Sequence, residues 1–211
     1  MSSARQQIFA NLRGALGRRA EDGVASPPSI ALGTIPLNDR SGEVLEARFR
    51  ERLAMTGVTL ETLTLDEVPA AVADYLARHA LKGSTAIAPA LASLAWSARE
   101  LPVDIGTADR QHTLGVGQAY AGVAATGSLV MVASSQSPSA LNFLPEHHLV
   151  VLSRARLLGH LDQLWPLLAR EGASASQAIQ LITGPSSTAD IGGQLLYGAH
   201  GPRAVHVLLV D

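Results

Sequence analysis

Three stretches of this chain carry side chains able to do chemistry. In "LITGPSSTADI", residues 181–191, an apolar run breaks at Gly184 and Pro185 and gives way to Ser186, Ser187 and Thr188, followed by Asp190. Two readings stay open. Ser187 precedes Asp190 by three residues, the Ser-x-x-acid spacing of a helix N-cap. Hydroxyls and free N–H groups at a helix start after a strand also form a site for a carboxylate or phosphate. On that second reading Thr183, Gly184, Ser186, Ser187, Thr188 and Asp190 border an anion pocket at a strand's carboxyl end, where open α/β sheets bind ligands. A P-loop is excluded, because the Gly-Lys-Ser/Thr ending is missing.

The second stretch, "LPEHHLVVL", sets His147 beside His148. Adjacent strand residues face opposite sides, so the pair cannot readily share one metal, and the expectation is one exposed ring and one inward ring. An inward histidine is either a hydrogen-bonded core residue or a general acid/base. The third, "YGAHGPRAV", brackets His200 between Gly198 and Gly201 ahead of Pro202, which suggests a tight loop with the imidazole at its tip. His148 and His200 are therefore the candidate catalytic residues. Gly201 joins His200 as a candidate ligand contact.

A fourth stretch is glycine-rich. "GVGQAYAGVAATGS", residues 115–128, opens on Gly115-x-Gly117, but Tyr120 stands where the dinucleotide fingerprint needs its third glycine. It reads as a twisted hairpin turning at Gly127, with Thr126, Gly127 and Ser128 as further candidate anion contacts. No HExxH, nucleophile elbow or metal-ligand cluster accompanies these stretches, so no metal site is expected. The chain has no cysteine. An iron-sulfur cluster, if one takes part, belongs to a partner protein, and no cofactor of this chain's own is expected.

Alternating helical and strand-like runs must position these residues. "SGEVLEARFRERLAMTG" reads as a helix starting near Ser41 and stopping at Gly57; "VTLETLT" follows as a strand and "DEVPAAVADYLARHAL" as a helix. "STAIAP", "VDIGT", the hairpin, "HHLVVLS", "AIQLIT" and "AVHVLLV" read as strands, with a helix near "GHLDQLWPLLAREG" and a short one after "AIQLIT". This order predicts an α/β fold, a largely parallel sheet flanked by helices and interrupted by the antiparallel hairpin. The expected organisation is an amphipathic helix over 1–20, a linker over 21–42 marked by Pro27, Pro28 and Pro36, and an α/β domain over 43–211. On the first helix Ile8, Leu12 and Leu16 form an apolar stripe among Arg5, Arg13, Arg18 and Arg19, the pattern of a docking helix and also of a transit peptide.

A net charge of -2, a pI near 6.4 and 4% aromatic residues supply neither the field nor the stacking platforms for nucleic acid. No apolar run reaches the roughly 20 residues of a membrane span, and no secretory segment follows the start. For a bacterial source the expectation is a cytoplasmic protein.

Taken together, the basic N-terminal helix, "GVAATGSLVM", "LNFLPEHHLVVL", "ITGPSSTADI" and "YGAHGPRAVHVLLV" resemble the LUD-domain family, and more closely its lactate utilization protein C branch. The resemblance is an ordered series from about residue 112 to the end. It implies the fold of the sugar-phosphate isomerase and CoA-transferase-like superfamily. It also implies a part in bacterial oxidation of L-lactate to pyruvate, as a non-redox accessory or subunit beside iron-sulfur partner proteins. The chain departs from the family pattern at Ala125, where a glutamate is usual, at Ser187, where an arginine is common, and at Gly192, where an acid is common. A carboxylate nucleophile or base and an anion-binding guanidinium are thus absent from places where the family offers them. Two alternatives remain: an enzyme acting alone on a phosphorylated or CoA-linked metabolite, and a non-catalytic scaffold. A small anionic metabolite and a second copy of the chain are the other partners considered.

Overall fold

The computed structural model describes residues 3–19, 42–99, 101–173, 176, 178–190 and 193–211. Residues 20–41, including most of the expected linker and Ser41, lie outside these, as does Gly192. The chain separates into two units, Met1–Pro36 and Leu37–Asp211.

In the first unit, α1 (Ser3–Ala15) leaves Ile8, Phe9 and Leu12 exposed, with Leu16 beyond its end also exposed. The guanidinium groups of Arg5 and Arg13 lie 5.5 and 5.9 Å from the centre of the Phe9 ring, within cation–π range.

Among the described residues the second unit begins with α2 (Gly42–Met55). It stops at Gly57, whose φ of 76° turns the chain so that the Val58 N–H donates back to the Leu53 carbonyl. The chain continues through β1 (Thr59–Leu63), α3 (Val68–Arg78), β2 (Ser84–Ile87), β3 (Val103–Ile105) and β4 (His112–Gln118). A hairpin of β5 (Ala121–Val123) and β6 (Ser128–Val132) precedes β7 (His147–Ser153), β8 (Leu157–Leu158) and α4 (Leu164–Arg170). The last elements are β9 (Ile179–Ile182), β10 (Ser187–Thr188), β11 (Leu196–Tyr197) and β12 (Ala204–Val210).

Six strands form one sheet in the order β1-β12-β7-β4-β2-β3, and every neighbouring pair is parallel. The unbroken apolar runs "LVVL" and "VLL" of its middle strands follow from cover on both faces. On one face Val72 and Tyr75 of α3 meet Leu149, Val151, Leu208 and Val210. On the other, Phe49 and Leu53 of α2 and Leu129 and Met131 of β6 meet Val150, Leu152, Val207 and Leu209. Each such fully buried Leu or Phe side chain contributes about 1.5–3 kcal/mol relative to exposure.

The structure thus has the α/β architecture and parallel sheet that the order of elements predicts, but the hairpin lies elsewhere. Rather than interrupting the parallel sheet, it belongs to a second sheet, β8-β5-β6-β9, in which β6 runs antiparallel to both β5 and β9. The far side of this second sheet packs Val123 and Val130 against Leu164 and Leu168 of α4.

Two local expectations are corrected. "TGPSST" does not cap a helix: Ser187 and Thr188 pair antiparallel with Tyr197 and Leu196. The backbone of the preceding residue is already engaged, since the Ser186 N–H donates to the Pro202 carbonyl and the Ser186 carbonyl accepts from the Gly198 N–H. A ladder, not a helix turn, takes these groups. The second correction concerns the histidines: His147 and His148 do face opposite sides of β7, but both are buried, because that strand is covered on both faces.

Candidate functional site

The segments singled out by their chemistry meet beside the start of β7. Pro145 and the carbonyl of Leu141 come to where a Gly115 side chain would begin, at 2.8 Å each. Only a glycine lets residues 141–145 cross so low over β4. That crossing brings Asn142 down onto the face that carries His148. From the other side the closing loop, residues 198–202, folds over Ser186, whose Oγ accepts from the His200 N–H at 3.4 Å.

The result is a cleft of two lobes walled in common by Thr183 and Gly184. One lobe, about 230 Å³, is bordered by Asn142, His148, Ser186, His200 and Gly201. The other, about 590 Å³, is bordered by Thr56, Ser187, Tyr197 and Arg203. Gly184 has a φ of 142°, and a side chain there would begin 3.1 Å from Thr56 Cβ, so the common wall depends on its being glycine. The cleft lies at the amino ends of β7 and β12. The expected place at the carboxyl end of a parallel strand is therefore corrected: "TGPSST" follows the carboxyl end of β9, but β9 belongs to the antiparallel part of the second sheet.

His148 is the most unusual group in the cleft. It is fully buried, and neither ring nitrogen has a hydrogen-bond partner among the described residues. Burial pushes its pKa down to about 4, so the ring is neutral at neutral pH. Asn142 beside it is fixed from behind. Its Nδ2 donates to Gln180 Oε1 at 2.8 Å, and Gln180 Nε2 donates in turn to Ser139 Oγ at 2.8 Å. Asn142 Oδ1 is left buried and unpartnered. Neutral His148 can donate from one nitrogen and accept at the other, while Asn142 presents an acceptor alone.

His147 behaves differently on the opposite face. Its Nδ1 is 2.9 Å from the Tyr75 hydroxyl, and its ring lies 5.7 Å from that of His79. Burial, and next the charge of His79, lower its pKa.

Not every candidate residue reaches the cleft. Thr126 and Ser128 stand behind it in a row of hydroxyls, with Oγ distances of 2.7 Å from Thr126 to Ser128 and 2.8 Å from Ser128 to Thr183. Gly127, with φ at 71°, turns the hairpin tightly against Arg52. Thr188 and Asp190 lie outside as well; the Thr188 hydroxyl donates to Asp190 Oδ2 at 2.6 Å. Ala125 sends its N–H to the Gly159 carbonyl and borders neither lobe.

Several residues of the cleft and its support escaped the sequence reading. Asn142 sits within "LNFLPEHH" and Arg203 within "HGPRAV", so both were in view without a role. Gln180, polar in the middle of "AIQLIT", was the signal of an interior contact, and Ser139 had none. Arg203 matters because it lines the same lobe as Ser187, the position where the resemblance implies an arginine. Among the described residues no carboxylate pairs with Arg203, and it is the one permanently charged side chain bordering either lobe.

Comparison with known proteins matches residues 45–210 to the LUD domain family. The chain is 34% identical over 105 residues to a protein of Escherichia coli strain K12 named uncharacterized protein YkgG, a match covering 48% of this chain and 46% of that one. It is 37% identical over 93 residues to lactate utilization protein C of Bacillus pumilus, covering 42% of this chain and 39% of that one. These matches span less than half of either relative. A crystal structure of a DUF162 family protein from Deinococcus radiodurans superimposes with a TM-score of 0.60 at 18% identity, covering 82% of this chain and 99% of that one. That likeness concerns the fold. No helix among the described residues is long and apolar enough to cross a membrane.

Proposed function

The chain belongs to the LUD-domain family, and from that premise we propose that it serves lactate utilization as a non-redox component that holds a small carboxylate in the two-lobed cleft. The oxidation of L-lactate to pyruvate is then the work of iron-sulfur partner proteins. The observation that carries this reading is Arg203, a guanidinium without a carboxylate partner among the described residues, in a cleft that also holds a neutral, unpartnered histidine. An arginine that lines the same lobe as Ser187 and Tyr197 suits a carboxylate. The names of the relatives supply lactate utilization as the setting, and the lack of cysteine in this chain supports a cluster carried by a partner.

Calorimetry with L-lactate tests the reading. Wild type binds, and Arg203→Ala weakens binding by roughly tenfold or more while unfolding at the same denaturant concentration. Equal affinity in the variant removes Arg203 from the site. Oxidation of lactate by the isolated chain, with no other protein present, overturns the non-redox assignment.

A further inference from the structure

From the buried end of the smaller lobe we infer a second subsite, formed by His148 and Asn142, that receives a hydroxyl group, so that the ligand is a short hydroxycarboxylate and is distinguished from its oxo and deoxy analogues. This inference rests on the carboxylate reading above and narrows it.

Buried polar groups in folded proteins are almost always paired, which makes three unpartnered atoms at one place informative. His148 Nδ1 and Nε2 and Asn142 Oδ1 are all buried without partners among the described residues. They also converge. From the point where a Gly117 side chain would begin, His148 Nε2 is 3.1 Å away and Asn142 Oδ1 is 3.7 Å away. Both residues border the smaller lobe, so what they recognise enters through the cleft.

Their chemistry specifies the group. Asn142 spends its amide nitrogen on Gln180, which donates in turn to Ser139, so the atom it turns inward is the acceptor. The neutral imidazole offers an N–H. A hydroxyl satisfies both, accepting from the ring and donating to Asn142 Oδ1. A ketone can accept from the ring but leaves Asn142 unpaired. A methylene satisfies neither. Sites built around a substrate hydroxyl reject analogues that lack it because their own buried groups are stranded.

L-lactate, pyruvate and propionate share a three-carbon chain and a carboxylate and differ only at the second carbon. Calorimetry of the three against wild type should give L-lactate the tightest binding by roughly tenfold or more. In Asn142→Leu, which keeps the volume and deletes the acceptor, the preference over pyruvate should shrink to within about twofold. Gly117→Ala, which crowds His148 Nε2, is a second variant expected to flatten the preference. If wild type binds none of the three, the carboxylate reading fails and the subsite fails with it. If it binds all three equally, the subsite is overturned and the carboxylate reading stands. A preference for lactate that survives unchanged in both variants places the selective contact elsewhere and also overturns the subsite.

Discussion

His147 and His148 are neighbours in one strand, and the sheet makes them into two regions of opposite character. On the His147 face the two buried imidazoles, His147 and His206, have partners within the fold. Tyr75 bonds His147, while Thr59 and Glu61 hold His206 at 2.6 and 3.2 Å. On the His148 face the ring is more deeply buried and has no partner among the described residues. Burial is therefore a poor guide to role. A buried polar group whose bonds are complete is architecture, and one whose bonds are open is available to a ligand.

The largest effect expected is a contrast in stability. His147→Ala removes a bonded ring and strands the Tyr75 hydroxyl, and should lower the unfolding free energy by about 3 kcal/mol. His148→Leu replaces an unsatisfied polar group by an apolar one of similar size, and should change it by less than about 1 kcal/mol. Denaturant unfolding followed by circular dichroism measures both. Equal losses would erase the difference between the two faces.

Acid provides a second probe. His148 is held near a pKa of about 4 in the fold, against about 6.5 in the unfolded chain. Below pH 7 the unfolded state therefore binds the extra proton first, and stability falls as pH drops through 6.5 toward 4. Between pH 7 and pH 5 this one ring accounts for about 2 kcal/mol. The lowered pKa values of His147 and His206, both due first to burial, act with the same sign. His148→Leu should lose its own share of the pH dependence and keep theirs. An unaltered pH dependence in that variant would mean the ring is not protonated on unfolding in this range.

A smaller change sharpens the comparison from the paired side. Tyr75→Phe deletes only the hydroxyl that meets His147 Nδ1, and should cost about 1–2 kcal/mol. Affinity for L-lactate should be untouched, since Tyr75 lies across the sheet from the cleft. A loss of affinity would show that the two faces communicate through β7.

The strand and helix order was legible because periodicity and glycine stops are local: Gly57 closes α2 and the apolar runs of β7 and β12 mark a sheet covered on both sides. The histidine, hydroxyl and closing-loop stretches were legible one by one as candidates by residue type, but not as neighbours in space. What could not be read was pairing across distance. The strand "AIQLIT" looked like part of a parallel sheet because nothing in its residues says that its neighbour is the antiparallel β6. Ser187 looked like a cap because its spacing to Asp190 is right, but the closing loop claims the adjacent backbone. The link from Asn142 to Gln180 joins residues 38 apart, and Arg203 faces Ser187 only once β12 is in place.

The smallest expected effect concerns the hydroxyl row behind the cleft. Thr126, Ser128 and Thr183 are candidates for ligand contact by type, but Ser128 is 5% exposed and already bonded on both sides, which places it with the paired class of groups. Ser128→Ala should therefore cost about 1 kcal/mol of stability and leave L-lactate affinity within about twofold of wild type, a difference under about 0.5 kcal/mol. Thr183 is the informative neighbour, because it closes the row and also walls both lobes. Thr183→Val keeps the shape and removes the hydroxyl. If its loss of affinity matches that of Ser128→Ala, the row supports the cleft only as structure. If Thr183→Val alone weakens binding, its hydroxyl faces the ligand and the boundary between the paired and the open region runs through that residue. Weakened binding in Ser128→Ala itself would contradict the rule drawn from His147 and His148, since a group with its bonds complete would then be serving the ligand.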